Sequence, residues 1–541
     1  MKGWVIAHSV DLVAPGERAF VEQLGDPEPN RLTYSSLVNA HECEAIDRGA
    51  YHDARSWYVD GGRDMTVVEG VSVGRAFEYG ATETLVRHRR AELVLRKLLA
   101  DSADKTVRLR GVGDEWWTMA RALGAEPIAE GLGVVPGPTN GARPAPPSRL
   151  RRLAAQIAGA RRPKNPRLVL VDLPVWASPY SHDLLRRAPA QLVDPRRHLL
   201  LQAIGQRAET TSIWLADRER CRRLPAPSYS AVTSPEQESL RAVEARYQLL
   251  QASMSSWAEA GRRAGGVGVV AVAGQDVLPP QRAFLLGLRA AGGSVVTLEH
   301  GISGGYAEQV WSVADVLAAW GDPQAAYHRA AGPHGLRVVA VGWPRLESAA
   351  VLAPPVGRDA WDIVHFSQPS QDLSAGNWPE GHRKALQIVD DYARRYPHRK
   401  VAIKLHPGSK SYGFSPPPIN HAHVVTDESL ALIRASKVVV VVGSTTGLEA
   451  MSLGRPVLHV PRRGHIGPAE FDFISASGAA RRVNSVEELA AATERLLSDG
   501  SAYQDAIDRG RAFAGSFIYG LGQPGSATRR LADLVAELQN S

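Results

Sequence analysis

The feature that most limits the fold of this chain is a repeated change of hydrophobic period. Short apolar runs occur at Trp4–Ala7, Met65–Val68, Thr106–Leu109, Leu168–Val171, Val267–Val272, Ser294–Leu298, Val338–Val341, Ile363–Phe366, Val401–Leu405, His423–Val425, Val438–Val442 and Pro456–Val460. Between them lie patterns of helical period, such as RAELVLRKLLADS, SLRAVEARYQLLQASMSSWAEAGRRA and SVEELAAATERLLSDG. A strand apolar on both sides needs helices on both faces of its sheet. The alternation therefore predicts an α/β fold with parallel sheets.

At 541 residues the chain is too long for one ordinary core. Two breaks interrupt the pattern. Val134 to Arg167 has Pro/Gly-rich ends around a short basic helix, and reads as an insertion at about 134–167. Arg345 to Asp362 is a polar, proline-containing crossing. Placing the main boundary there gives an N-terminal lobe over 1–345 and a C-terminal lobe over 346–541. The second lobe reads as strand 363–366, helix 381–395, strands 401–405 and 423–425, helix 428–435, strand 438–442, helix 446–453 and strand 456–460. Two Rossmann-like lobes hold a ligand at the carboxyl ends of their strands, in the cleft between them.

Composition narrows the function classes. The chain carries a formal net charge of +7, which favours anionic partners: nucleotides, phosphates, anionic lipid or nucleic acid. Basic patches interleaved with aromatics are missing, so nucleic acid is the poorest of these fits. The two cysteines, Cys43 and Cys221, lie in no metal-like spacing, which suits a reducing compartment. The start, MKGWVIAHSVDL, has no long apolar segment, and no window resembles a membrane span. A cytoplasmic location follows as the expectation.

Two motifs carry chemistry. In KLHPGS the strand ends at Leu405, so Lys404 and His406 fall where a ligand crevice is expected. Pro407 sets the chain direction and Gly408 lets backbone approach a ligand. The plain alternative is a histidine bonded to a turn. In VGSTTGLEAMSLGRPV, residues Gly443, Ser444, Thr445 and Thr446 follow a strand and open a helix. Unpaired N–H groups and the helix dipole make that terminus a phosphate seat, which a hydroxyl side chain can complete. Glu449, one turn on, could reach a ribose hydroxyl or complement the dipole. Taken alone this reads equally as an ordinary capped βαβ unit or as a phosphate site. With His406 at a neighbouring strand end, a phosphate site is the better reading.

KLHP followed by GSTTGLEAMSLGRPVL resembles the paired signatures of GT-B glycosyltransferases that build bacterial surface polysaccharides. These are the Kdo and polysialic capsule transferases and the CDP-glycerol glycerophosphotransferase group. The similarity runs from about Ile363 to the C-terminus and includes FIYGLGQPGSATRRLADLV. It implies a metal-independent transferase with a CMP- or CDP-linked sugar as co-substrate and no other cofactor. It also implies that His406, Ser444 and Thr445 hold the donor phosphate. VVTLEHGISGGY resembles a further segment of the same group and offers His300 as a second histidine of the cleft.

An inverting transferase needs a base for the acceptor hydroxyl. Glu69, in VVEGVSVG, ranks first because it resembles the acidic-Gly element that supplies the base in sialyl- and polysialyltransferases. Asp276 in AGQDVLPP ranks second and Asp172 in VDLP third. No DxD-type metal element is present, so helix dipole and cationic side chains would meet the phosphate charge. The basic amphipathic segment Ser148 to Lys164 could rest on the inner face of the membrane, near a lipid-linked glycan acceptor. Alternatives are a UDP-sugar transferase, a nucleotide-sugar 2-epimerase, and a nucleotide-binding glycan-assembly protein without turnover.

Overall fold

The computed structural model describes residues 4–9, 12–14, 17–23, 30–68, 70–100, 102, 105–130, 167–172, 198–202, 234–274, 276, 278–299, 301, 312–331, 335–347, 360–367, 379–406, 416–442, 445–461, 475 and 477–541. They form an α/β structure with three large sheets of five, six and six strands. All pairings within those sheets are parallel.

The N-terminal unit contains β1 (Trp4–Ser9), β2 (Ala19–Gln23), β3 (Arg31–Leu32), α1 (Ala40–Ala54), β4 (Val59–Asp60), β5 (Arg63–Asp64), β6 (Val67–Val68), β7 (Val71–Ser72), α2 (Val73–Ala100), β8 (Thr106–Arg110), α3 (Asp114–Ala122) and β9 (Glu126–Ala129). Its sheet runs β3-β2-β1-β8-β9. The middle unit follows with β10 (Leu168–Asp172), β11 (His198–Gln202), α4 (Pro235–Ala264), β12 (Val270–Ala273), α5 (Pro279–Ala290), β13 (Ser294–Leu298), β14 (Val316–Ala319), α6 (Asp322–Ala331) and β15 (Arg337–Ala340). Its order is β11-β10-β12-β13-β14-β15. The stretch read from sequence as one lobe, 1–345, thus holds two sheets.

The run Met65–Val68 is not a buried strand. It lies across two small antiparallel hairpins, β4–β5 and β6–β7, with Met65 44% and Val67 50% exposed. Gly61, Gly62 and Gly70 all have positive φ, so the backbone reverses too tightly for a sheet strand to continue. Helix α2 then joins the two units of the first half. Phe77, Ala81, Leu85 and Val86 pack with the middle sheet, while Ala91, Val94, Leu95 and Leu98 pack with the N-terminal one. One long uninterrupted helix makes the two sheets share a support.

The C-terminal unit has β16 (Trp361–Phe366), α7 (Pro379–Arg395), β17 (Val401–Lys404), β18 (His423–Val425), α8 (Ser429–Arg434), β19 (Ser436–Val441), α9 (Thr445–Ser452), β20 (Val457–His459), β21 (Arg481–Arg482), α10 (Val486–Ser498), α11 (Gly500–Phe517) and α12 (Ser526–Asn540). The order β18-β17-β16-β19-β20-β21 is the doubly wound Rossmann arrangement, with its switch point between β16 and β19. Buried Arg455 secures the α9 unit. Its guanidinium donates to the carbonyls of Ile433 and Arg434 at 3.2 and 3.0 Å, capping the end of α8.

The middle and C-terminal units share one apolar cluster. It joins Val272, Val296, Trp320 and Trp343 to Val439, Val441, Leu448 and Met451. The C-terminal tail completes it: Phe517, Ile518, Leu531 and Leu534 belong to the same cluster, and α12 packs on β12 and β13. Trp320 and Trp343 stack at 3.9 Å, and the Tyr519 N–H donates to the Trp320 carbonyl at 2.8 Å. Gly321 and Gly342 are required here, because a Cβ on them would lie 2.1 Å from the Phe517 carbonyl oxygen and 2.4 Å from that of Tyr519. The FIYGLG stretch is therefore the crossing that ties the C-terminal unit back onto the middle one. Among the described residues no helix is long and apolar enough to cross a membrane.

Candidate functional site

The switch point of the C-terminal sheet gathers the two motifs. β17 delivers His406 beyond its carboxyl end, and the His406 backbone N–H donates to Ser367 Oγ at 3.0 Å. Ser367 follows the last residue of β16, so this bond ties the His-Pro segment to the neighbouring strand end. β19 leads into α9, whose first residues, Thr445 and Thr446, are half-buried. Gly443, Ser444 and Pro407 lie outside the described residues. Glu449 is buried one turn into the helix.

Lys404 bonds backbone. It is buried, and its ammonium donates to the carbonyl of Asp427 at 2.5 Å and to that of Thr426 at 3.5 Å. It thereby pins the segment after β18. Asp390 does related work on the other side: its carboxylate accepts the backbone N–H groups of Asn420, His421 and Ala422 at 3.2, 2.8 and 2.9 Å. Burial pushes the carboxyl's pKa up, and the three bonds together outweigh it, so the net shift is downward.

The middle sheet meets this site through the segment after β13. A Cβ on Gly301 would sit 3.3 Å from Thr445 Oγ1. The carboxyl end of β13 and the amino end of α9 therefore come into contact across the two units. His300 lies outside the described residues, but its neighbour Glu299 explains how the segment is set. Glu299 is buried and accepts the Trp320 N–H at 2.7 Å, Gln324 Nε2 at 2.5 Å and His328 Nε2 at 3.2 Å. Its own carbonyl accepts Trp320 Nε1–H at 3.0 Å. A buried carboxylate with that many donors fixes where β13 ends. The signal was present in the sequence, since an acidic residue directly follows an apolar strand at TLEHG.

The candidate bases occupy a second locality. Glu69 lies outside the described residues, and so does the side chain of Asp172. Asp276 follows β12 and is 4% exposed, with Oδ2 accepting from Ser312 Oγ at 2.9 Å and from the Val313 N–H at 2.6 Å. Fully buried Arg282, in the first turn of α5, donates to the Asp276 carbonyl at 3.2 Å. It also donates to the Arg75 carbonyl at 3.1 Å and to Glu78 Oε2 at 3.3 Å. Tyr58 Oη–H donates to Glu78 Oε1 at 2.6 Å. The start of α2 is thus bolted to the start of α5, and β7 packs on α5. Hence the β6–β7 hairpin, with Gly70 between its strands, sits beside the carboxyl end of β12. Nothing in the sequence pattern pointed to Arg282, Glu78 or Tyr58, because a buried ionic contact between distant helices has no local period.

No protein-family model matches this sequence, and no curated protein is significantly similar to it. Solved structures do align with the fold. UDP-GlcNAc 2-epimerase from Neisseria meningitidis, bound to UDP-GlcNAc, is 15% identical, with a TM-score of 0.42 over 68% of this chain and 99% of the other. MurG from Acinetobacter baumannii is 14% identical, with a TM-score of 0.36 over 68% and 99%. The wall teichoic acid polymerase TagF is 11% identical, with a TM-score of 0.42 over 72% and 93%.

Proposed function

We propose that this chain is a glycosyltransferase of the two-lobed GT-B type, using a CMP- or CDP-activated sugar to extend a bacterial surface glycan. The observation that carries this reading is the contact between Gly301 and Thr445. It brings the strand ends of two parallel sheets to one place, and a helix amino terminus opens there. His406, bonded to Ser367 through its backbone, stands at the adjoining strand end. The donor phosphate is assigned to Gly443, Ser444, Thr445 and Thr446 at that terminus, with His406 as the charge-assisted partner. Glu449 is assigned to the donor's ribose side. Glu69 is assigned as the base that takes the acceptor proton, with Asp276 the competing carboxylate and His300 a further candidate. The basic segment 148–164, outside the described residues, would bring the enzyme to a lipid-linked acceptor on the inner membrane face.

The deciding experiment is a thermal-shift screen with CMP, CDP, UDP, GDP and ADP. A ligand that binds only the folded state raises its melting temperature. A shift selective for cytidine nucleotides is expected. A uridine-selective shift would move the assignment to a UDP-sugar transferase or a 2-epimerase. No shift with any nucleotide would overturn it.

A further inference from the structure

The face of the middle sheet covered by α5 holds polar atoms that the fold itself does not use. Gln281 is fully buried (0% exposed), and neither its Oε1 nor its Nε2 has a hydrogen-bond partner among the described residues. Thr297 is 3% exposed, and its Oγ1 is likewise without one. Leaving such groups desolvated and unpaired costs stability at each atom, and native structures keep few of them.

The two side chains belong to one locality. Gln281 lies one turn before Leu285 and about two before Leu288. Those leucines share a cluster with Ala271, Ala273 and Val295 of the sheet, so this stripe of α5 faces the strands. Thr297 is paired in register with Ala273, the last residue of β12, and alternates with Val296 and Leu298, which face the opposite cluster. Both groups therefore stand on the α5 side, near the carboxyl ends of β12 and β13. Asp276 closes the same corner. Among the described residues, both hydrogen bonds that its carboxylate accepts go to Oδ2.

We infer that Gln281, Thr297 and the Asp276 carboxylate form a polar subsite for hydroxyl groups of a neutral sugar, the acceptor of the transfer proposed above. The inference rests on that reading for the word acceptor, and on the orphaned atoms for the site. An amide supplies a donor and an acceptor, a threonine hydroxyl supplies both, and a carboxylate oxygen accepts. That set suits vicinal hydroxyls. The set contains no cation to seat a phosphate, and the neighbouring Arg282 guanidinium bonds Glu78 and two backbone carbonyls.

Saturation-transfer NMR with the full chain tests this, using the methyl glycosides of glucose, galactose, mannose and N-acetylglucosamine as probes. The wild type should bind at least one of them saturably. The Gln281→Leu/Thr297→Val double variant should lose about tenfold in that affinity, as two neutral hydrogen bonds disappear. Its melting temperature should hold or rise, because orphaned polar atoms have been replaced by apolar ones, and its nucleotide-induced thermal shift should stay. Thr297→Val alone is close to isosteric and carries the test if the double variant does not fold. Absence of saturable glycoside binding to the wild type, or equal binding by the variants, would overturn the subsite and leave the polar atoms to buried water. Glycoside binding that the variants lose, in a protein that no nucleotide stabilises, would keep the subsite and remove the transferase reading.

Discussion

Gly301, which follows β13, and Thr445, which opens α9, approach until one added methyl would lie 3.3 Å from the threonine hydroxyl oxygen. This is tighter than ordinary van der Waals contact, and it joins two units whose strands belong to different sheets. The relationship makes Gly301 a reporter on how closely the units must meet. Gly301→Ala needs a shift of a few tenths of an ångström and should leave stability within about 0.5 kcal/mol. Gly301→Leu should push the segment off α9. It is expected to lower nucleotide affinity roughly tenfold or more, read by the nucleotide-induced thermal shift, with an unchanged melting temperature in the free protein. Equal nucleotide binding by Gly301→Leu would separate the contact from the donor site.

His406→Ala tests the phosphate assignment directly. The His406 bond to Ser367 uses the backbone N–H, so removing the ring leaves the strand-end tie in place. A charge-assisted hydrogen bond contributes about 1.5–3 kcal/mol. Its loss should therefore cost on the order of tenfold or more in donor affinity while the fold persists. Wild-type affinity in this variant would make the ring structural.

The two carboxylates should separate by their effects. Asp276 holds Ser312 and the Val313 N–H, so Asp276→Ala leaves those donors unpaired in a buried place. A stability loss of roughly 1–3 kcal/mol is expected, visible in chemical denaturation. Glu69→Gln should leave the denaturation midpoint alone and, if Glu69 is the base, lower transfer on the order of a hundred- to ten-thousandfold with nucleotide binding intact. A fully active Glu69→Gln enzyme would return the base to Asp276 or exclude a carboxylate base altogether.

How much of this was legible in the sequence depended on whether the signal was local. The C-terminal unit was readable almost strand by strand, because Val401–Lys404 and Ser436–Val441 are apolar on both faces and end in abrupt polar punctuation. The strand Ala19–Gln23, the edge strand Glu126–Ala129 and the wholly charged Arg481–Arg482 lacked that signature. Met65–Val68 had it and is a pair of hairpins instead, since the glycines at 61, 62 and 70 decide the backbone. Lys404 illustrates the limit at the site. Its position at a strand end suggested phosphate, and its ammonium is bonded to two carbonyls of a segment more than twenty residues on. Likewise, the splitting of the first half into two sheets depends on α2 packing on both, which only tertiary contacts reveal.

The last prediction concerns acid stability. His365 lies in the central strand β16, wholly buried, with Nδ1–H set to donate to the Val440 carbonyl at 3.0 Å and Nε2 without a partner among the described residues. Desolvation pulls its pKa down to about 4, against a partial opposing effect of the Val440 bond. His88, buried on α2 and bonded to the Thr84 carbonyl, is lowered for the same reason. In the unfolded chain both rings take a proton near pH 6.5, whereas the folded protein keeps them neutral. The unfolded state therefore binds more protons below that pH, and stability falls as pH drops. The contribution of His365 is complete above about pH 6.5 and is lost progressively toward pH 4, by about 3 kcal/mol in all. Urea denaturation across this range should show the decline, and His365→Leu should flatten it while leaving neutral-pH stability within about 1.5 kcal/mol. A variant whose stability falls as steeply as that of the wild type would place the proton uptake elsewhere.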